Sequence, residues 1–132
     1  MKVLFVCLGN AFRSPVAEAL LKKFKTEIEV ESAGISPSIP ISEAARKYLA
    51  RENAEQYLKQ APESLHEKDL DKYDLIIAME PRHNDIVSSK CPKCENKIVV
   101  WNIDDPYFLP QGYTEKIFKQ IKDKVAELAN SL

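Results

Sequence analysis

Short apolar runs alternate with amphipathic stretches along this chain. Residues 3–6 and 75–79 are continuous apolar runs, which are typical of buried parallel strands. Residues 27–32 alternate charged and apolar side chains, which predicts an edge strand, and residues 98–101 predict the last strand. Helical periodicity predicts helices over residues 15–25 and 42–51, from residue 80 and from residue 113. The pattern therefore predicts an α/β fold with a doubly wound, four-stranded parallel sheet.

The segment between the first strand and the first helix, residues 7–14, has the sequence Cys-Leu-Gly-Asn-Ala-Phe-Arg-Ser. Ser14 followed by Pro15 predicts an N-cap with proline at the first helical position. The segment is therefore a strand-to-helix turn. Such a turn directs backbone N–H groups and the positive end of the helix dipole at one point beyond the strand. The sequence thus predicts an anion-binding loop.

The side chains of this loop indicate phosphate chemistry. Gly9 and Asn10 tolerate left-handed backbone angles, which lets the loop curl around a ligand. Arg13 offers a planar fork of donors that matches two phosphate oxygens. Cys7 lies where these groups should favour the thiolate, and Ser14 can donate a hydrogen bond to the sulfur. We therefore expect Cys7 to attack phosphorus, with the substrate bound by Leu8, Gly9, Asn10, Ala11, Phe12 and Ser14.

Size and charge narrow the class of protein. A chain of 132 residues predicts one domain over residues 1–132. Nineteen basic and twenty acidic residues leave a formal charge of −1, which gives no electrostatic reason to expect a nucleic acid or membrane partner. The first apolar run is too short for a signal peptide, and three cysteines fit a reducing compartment. We therefore expect a cytoplasmic protein.

Four stretches resemble the low-molecular-weight protein tyrosine phosphatase family in order and separation. They are residues 1–15, Glu31-Ser32-Ala33-Gly34, residues 73–79 and Asp105-Pro106-Tyr107. The resemblance implies a three-layer, flavodoxin-like fold with strand order 2-1-3-4. It also implies that Asp105 is the general acid that protonates the leaving phenolate, with no metal and no cofactor. Pro106 restricts the backbone of Asp105, and Tyr107 and Phe108 are expected to flank an aryl substrate.

The sequence departs from the family pattern at two positions. Many members have a second cysteine just before the loop arginine, where this chain has Phe12. The family often places an aromatic side chain in the wall of the cleft, near the position of Ser38. Ile39 could replace that aromatic side chain in part.

Cys91 and Cys94 form a C-x-x-C motif before the last strand. Two cysteines cannot complete a tetrahedral zinc site, so zinc would require a dimer. One hypothesis is a reversible disulfide that protects Cys7 and is reduced by a thioredoxin-like protein. The alternative is a pair of free thiols or a structural crosslink with no regulatory role. His66, Arg82 and His83 are interpreted as surface or helix-terminal residues rather than catalytic ones.

These features favour a monomeric phosphatase that hydrolyses phosphotyrosine in proteins, or small aryl phosphates, through a phosphocysteine. Two alternatives remain. An arsenate reductase would use Cys7 with Cys91 and Cys94 as a redox pair, although reductases resembling this family place a cysteine where this chain has Met79-Glu80. A phosphotyrosine-binding module without activity would not need the nucleophile, the arginine and the acid together.

Overall fold

The computed structural model describes residues 1–110 and 112–132. Its sheet has four strands, β1 (Lys2–Cys7), β2 (Glu29–Gly34), β3 (Leu75–Ala78) and β4 (Ile98–Val100). All three strand pairs are parallel, and the order is β2-β1-β3-β4. Both the predicted sheet and the strand order implied by the resemblance are confirmed. The alternating strand β2 lies at an edge, as its sequence predicts.

Helices cover both faces of the sheet. They are α1 (Arg13–Phe24), α2 (Glu43–Arg51), α3 (Pro81–Lys90) and α4 (Tyr113–Ser131). Val3 and Phe5 point from β1 into the core formed with α1, α2 and α4. Leu4 and Val6 point the opposite way, into a smaller core that includes Val87 of α3. The period-two alternation of a strand explains this division, and because both faces are buried β1 is apolar throughout.

The start of α1 differs from the prediction. The helix begins at Arg13 rather than Pro15, and its N-cap residue, Phe12, makes no side-chain capping bond. The hydroxyl of Ser14 does not cap the helix because it lies 2.9 Å from the sulfur of Cys7. The helix predicted over residues 42–51 does begin with a serine cap, because Ser42 accepts a hydrogen bond from the backbone N–H of Ala44 in α2.

His83 is also placed differently from the prediction. Arg82 is exposed as expected, but His83 is completely buried. Its Nδ1 accepts a hydrogen bond from the backbone N–H of Glu80, which stabilises the start of α3. Burial, assisted by the nearby charge of Arg13, lowers the pKa of His83 to about 4. The imidazole is therefore neutral near pH 7 and acts as a hydrogen-bond acceptor.

The register of the sheet gathers the functional loops at one edge. Cys7 pairs with Gly34, and Ala78 pairs with both Val6 and Val100. The carboxyl ends of all four strands therefore coincide, and the segments that follow them meet there. In the described part of the chain, every helix is too short or too polar to traverse a bilayer.

Candidate active site

A cavity of about 230 Å³ opens at the carboxyl edge of the sheet. Three segments form its walls: the loop after β1, the loop after β2 and the segment after β4. The cavity is lined by Cys7, Leu8, Gly9, Ala11, Phe12, Arg13, Ser36, Ser38, Ile39, Asp105, Tyr107 and Phe108. Most of the predicted site residues therefore come together, but the side chains of Asn10 and Ser14 lie behind the loop, fully buried.

Cys7 lies at the base of the cavity, at the end of β1. Its side chain is almost fully buried, and the backbone N–H of Asn10 donates a hydrogen bond of 3.2 Å to its sulfur. Asn10 has a φ of 54°, the left-handed conformation that the curl of the loop requires. The Ser14 hydroxyl lies 2.9 Å from the same sulfur. Two hydrogen-bond donors therefore converge on one sulfur atom.

The orientation of the Asn10 amide sets the direction of the bond between Ser14 and the sulfur, and the amide oxygen accepts from the backbone N–H of Glu63 at 2.8 Å as well as from a lysine. Lys59, whose side chain is 8% exposed, donates to the Asn10 amide oxygen over 2.7 Å. An ammonium group has no acceptor, so the Asn10 amide must turn its NH₂ towards Ser14, 2.8 Å away. Since the Ser14 oxygen accepts this bond, its own hydrogen is available to the sulfur of Cys7. Lys59 thus positions the loop without touching the cavity.

The loop also packs closely on strand β2. Ser32 accepts a hydrogen bond from the Asn10 amide (2.9 Å) and donates one to buried Glu18 (2.5 Å). A Cβ on Gly34 would lie only 2.8 Å from the backbone of Gly9 and Asn10. Glycine is therefore required at position 34, because any larger residue would displace the loop.

Arg13 is buried and held by three oxygen atoms. Its Nη1 donates to Glu80 (2.5 Å) and to the Ile103 carbonyl (2.7 Å), and its Nη2 lies 3.3 Å from Asp105. Although burial opposes ionisation, the hydrogen bond and charge of Arg13 hold the pKa of Glu80 below its ordinary value. Glu80 is thus a carboxylate that fixes the guanidinium at the edge of the cavity.

Asp105, rather than Asp104, faces the loop. Its Oδ2 is the atom next to Arg13, and its Oδ1 accepts a 3.0 Å hydrogen bond from the backbone N–H of Tyr107. The second bond caps a short 3₁₀ turn, Pro106–Phe108, and holds the carboxyl group over the cavity. Asp104 is exposed and does not line the cavity.

The rim of the cavity is apolar and exposed. Phe108 and Tyr107 are 74% and 54% exposed on one side, and Ile39 is 42% exposed on the other. Ser36 and Ser38 complete the wall on the side of Ile39, where the resembling family often has an aromatic group. The rim therefore offers aromatic surface from one wall only.

Phe12 does not obstruct the loop. Its ring is buried and contacts Tyr48 edge-on, with ring centroids 6.5 Å apart. Tyr48 in turn stacks on Phe118 of α4 at 5.1 Å. The bulky side chain at this position thus joins the core beneath the loop.

Comparison with known proteins agrees with this geometry. The model of the family described as low molecular weight phosphotyrosine protein phosphatase matches residues 2–132. The chain belongs to this family. It is therefore a phosphatase, a hydrolase of phosphomonoesters, and the fold expected from the resemblance is confirmed.

The proteins similar to this phosphatase are named for two different substrates, phosphotyrosine and phosphoarginine. A low molecular weight protein-tyrosine-phosphatase, Wzb of Escherichia coli K12, is 33% identical over 119 residues, 80% of this chain and 77% of the relative. A protein-arginine-phosphatase of Bacillus subtilis is 30% identical over 143 residues, 100% of this chain and 94% of the relative. The solved arginine phosphatase YwlE, as a cysteine-to-serine mutant with a phosphorylated active-site serine, superposes with a TM-score of 0.87 at 25% identity. That superposition covers 100% of this chain and 95% of the other.

The structure does not bring Cys91 and Cys94 to the loop of residues 7–14 that contains Cys7. The two residues form a disulfide beside the segment that precedes β3, where Cys94 lies 3.7 Å from the carbonyl of Leu70. That segment meets the start of β1, because the N–H of Asp74 bonds the carbonyl of Lys2. Cys7 ends β1, so the length of the strand, roughly 17 Å, separates it from the disulfide. This placement gives no support to the predicted protection of Cys7 by the pair.

Two residues of the phosphatase site, Glu80 and Lys59, were not predicted from the sequence. Glu80 could have been found, because it is an acidic residue directly after a buried strand, at the edge where the arginine lies. Lys59 had no local signal, since its segment has neither a clear period nor a motif. Its contact with Asn10 bridges 49 residues of sequence and exists only in the folded chain.

Proposed function

We propose that this phosphatase hydrolyses phosphotyrosine in proteins, and small aryl phosphates, through a phosphocysteine on Cys7. The observation that carries the proposal is the convergence of the Asn10 N–H and the Ser14 hydroxyl on the Cys7 sulfur, at the base of a cavity edged by Arg13. A thiolate with these donors is both a nucleophile and a stabilised leaving group. The phosphorylated active-site serine of the YwlE mutant supports a covalent intermediate at this position.

In the first step, the Cys7 sulfur bonds to phosphorus and the bond from phosphorus to the aryl oxygen breaks. Arg13 exchanges its contact with Asp105 for phosphate oxygens, and the loop N–H groups bind the remaining oxygens. Asp105 transfers a proton to the departing aryl oxygen. In the second step, Asp105 takes a proton from water, the water oxygen bonds to phosphorus, and the bond between phosphorus and sulfur breaks. Inorganic phosphate leaves, and Cys7 is again a thiolate.

The aryl preference rests on the cavity walls. Tyr107 and Phe108 offer exposed aromatic faces, and Ile39 closes the opposite side with an apolar group. Among the lining residues that the structure describes, Asp105 is the one carboxylate, and proton transfer occupies it, so these residues offer no second anion to pair with a guanidinium. An aromatic ring therefore fits this entrance better than a phosphoarginine side chain.

Matched peptides test the substrate class. We expect kcat/KM for a phosphotyrosine peptide to exceed that for the same peptide carrying phosphoarginine by roughly tenfold or more, the effect of about 1.4 kcal/mol of preferential binding. Stopped assays of phosphate release from both peptides provide the comparison. The reverse ranking would assign the enzyme to the arginine-directed group and remove the aryl proposal, while leaving the phosphocysteine chemistry in place.

Replacing Asp105 with Asn should lower kcat for phosphotyrosine by roughly 100-fold, because the phenolate must then leave without a proton. The loss should be smaller for p-nitrophenyl phosphate, whose leaving group needs less protonation. Asp104→Asn is the matched control, since it makes the same change at the adjacent, exposed position. A larger loss in Asp104→Asn than in Asp105→Asn would show that the acid is assigned to the wrong residue.

We place the enzyme in the cytoplasm, as a monomer with one phosphatase domain over residues 1–132, where a thioredoxin-like protein can reduce its disulfide. Three cysteines in the chain fit such a compartment. The arsenate reductase alternative requires electrons to pass from Cys7 to a nearby thiol, and the position of Cys91 and Cys94 beyond the other end of β1 gives that route no support.

A further inference from the structure

The disulfide region contains a carboxylate that the sequence motif does not reveal. Asp71 lies 20 residues before Cys91 in the chain, yet its Oδ1 is 3.5 Å from the Cys91 sulfur and 3.9 Å from the Cys94 sulfur. All three ligand-type atoms lie within 4.8 Å of one another. The fold thus supplies a third potential metal ligand to a motif that offers only two.

The spacing of these atoms suits a tetrahedral ion. Zinc bonds of about 2.3 Å to sulfur and about 2.0 Å to oxygen place a sulfur and an oxygen ligand about 3.5 Å apart. The two contacts of Asp71 Oδ1 are near this value. The Cys91 and Cys94 Cα atoms are 5.4 Å apart, and a backbone bond from the Cys94 N–H to the Cys91 carbonyl keeps both side chains on one side of the turn. Rotation of the side chains can therefore separate two reduced sulfurs without moving the backbone.

The chemistry around the sulfurs also favours a cation. Neither sulfur of a disulfide carries a hydrogen, so the approach of Asp71 Oδ1 to both sulfurs and of the Leu70 carbonyl to Cys94 involves no hydrogen bond. The sulfur and oxygen atoms that meet there all carry lone pairs, and none of them carries a hydrogen to donate. The other carboxylate oxygen of Asp71 pairs with Lys93 at 3.1 Å. Lys93 would orient the ligand and offset the single negative charge of a zinc ion bound by two thiolates and a carboxylate.

The site is accessible from solvent. Cys91 and Cys94 are buried, but the Asp71 side chain is 50% exposed. Asp71 and Cys91 line a surface depression of about 590 Å³ together with Lys93. An ion can therefore enter past Asp71 and meet two sulfurs held in a protein environment, with the fourth position left to water.

We propose that Cys91, Cys94 and Asp71 bind a thiophilic divalent cation, Zn²⁺, when the disulfide is reduced. A dithiol reductant delivers two electrons and two protons, which convert the disulfide to two thiols as the reductant becomes a disulfide. Zn²⁺ then displaces the two thiol protons and bonds to both sulfurs and to Asp71 Oδ1. This site is independent of the phosphatase chemistry of Cys7, which ends β1 at the opposite edge of the sheet.

Cobalt titration of the full chain tests the proposal. The Cys7→Ser background removes the third thiol, so that Cys91 and Cys94 are the only thiols left in the chain. After phosphine reduction and removal of excess reductant, one Co²⁺ per chain should bind with a thiolate-to-cobalt charge-transfer band and the visible absorption of a tetrahedral site, and Zn²⁺ should displace it. The unreduced protein and a Cys91→Ser/Cys94→Ser variant should show neither band.

Two single substitutions identify the third ligand. Asp71→Asn should weaken Co²⁺ binding by roughly tenfold or more. Loss of a residue that only orients a metal ligand already lowers metal affinity by about this factor, and Asp71 is proposed to bind the ion directly. Glu95→Gln is the matched control, because it removes the same charge from an exposed residue beside Cys94 and should change the affinity less than twofold. Absence of the charge-transfer band after reduction would overturn the proposal. A stoichiometry of one Co²⁺ per two chains, in a dimer whose affinity for Co²⁺ is unchanged by Asp71→Asn, would also overturn it. That result would indicate an ion bound by four thiolates from two chains.

Discussion

Replacing Cys7 with Ser should reduce hydrolysis of p-nitrophenyl phosphate by roughly 10⁴-fold or more. A hydroxyl in this position is a far weaker nucleophile than a thiolate, and loss of a covalent nucleophile removes both chemical steps. The binding of phosphate should persist, because the loop N–H groups and Arg13 are unchanged. Steady-state kinetics and isothermal titration with inorganic phosphate measure the two effects separately.

The matched control is Cys91→Ser/Cys94→Ser, which removes the other two cysteines at the opposite end of β1. We expect this variant to retain wild-type turnover. If this variant stays folded but loses phosphatase activity, the cysteine pair takes part in the reaction of Cys7. Turnover of arsenate with a dithiol reductant by the wild type, lost in this variant, would assign the pair a redox role. If Cys7→Ser hydrolyses the substrate at a rate near that of the wild type, Cys7 is not the nucleophile.

Replacing Arg13 with Lys should lower kcat/KM by roughly 10³-fold, although the charge is kept. The guanidinium bonds Glu80 and the Ile103 carbonyl through Nη1 and still presents Nη2 to the cavity. An ammonium group is a point donor that cannot hold this anchor and bind two phosphate oxygens at once. Loss of such preorganised donors acts on the transition state, so kcat should fall as well as affinity. Kinetics with a phosphotyrosine peptide test this.

Arg82→Lys is the control for the arginine substitution. Arg82 also contacts Glu80, at 3.4 Å, but it is 55% exposed and does not line the cavity. We expect less than a twofold change in kcat/KM for this variant. Comparable losses in the two variants would mean that the Glu80 carboxylate, rather than the guanidinium fork of Arg13, limits the reaction. Thermal melting of both proteins shows whether any loss of activity comes from unfolding.

The features that follow from local chemistry could be predicted from the sequence. The continuous apolar runs gave the buried strands, and the alternating residues 27–32 correctly marked β2 as an edge strand. The loop composition indicated a tightly curled anion site, and Asn10 does adopt the left-handed angle that its residue type tolerates. The boundary of α1 was wrong because the same residue, Ser14, could serve as helix cap or as hydrogen-bond donor to the sulfur. Only the position of Cys7 decides between these roles.

The strand and helix order, the curled loop after β1 and the cysteine that begins this loop could all be predicted from the order of residues along the chain. These depend on side-chain period and on the backbone preferences of neighbouring residues. The distant groups that reach the loop are visible only in the folded chain: Lys59 behind Asn10 and Glu80 behind Arg13. The packing of the chain also places Asp71 against the cysteine pair. Such contacts depend on how strands and helices pack, and spacing along the chain does not record that geometry.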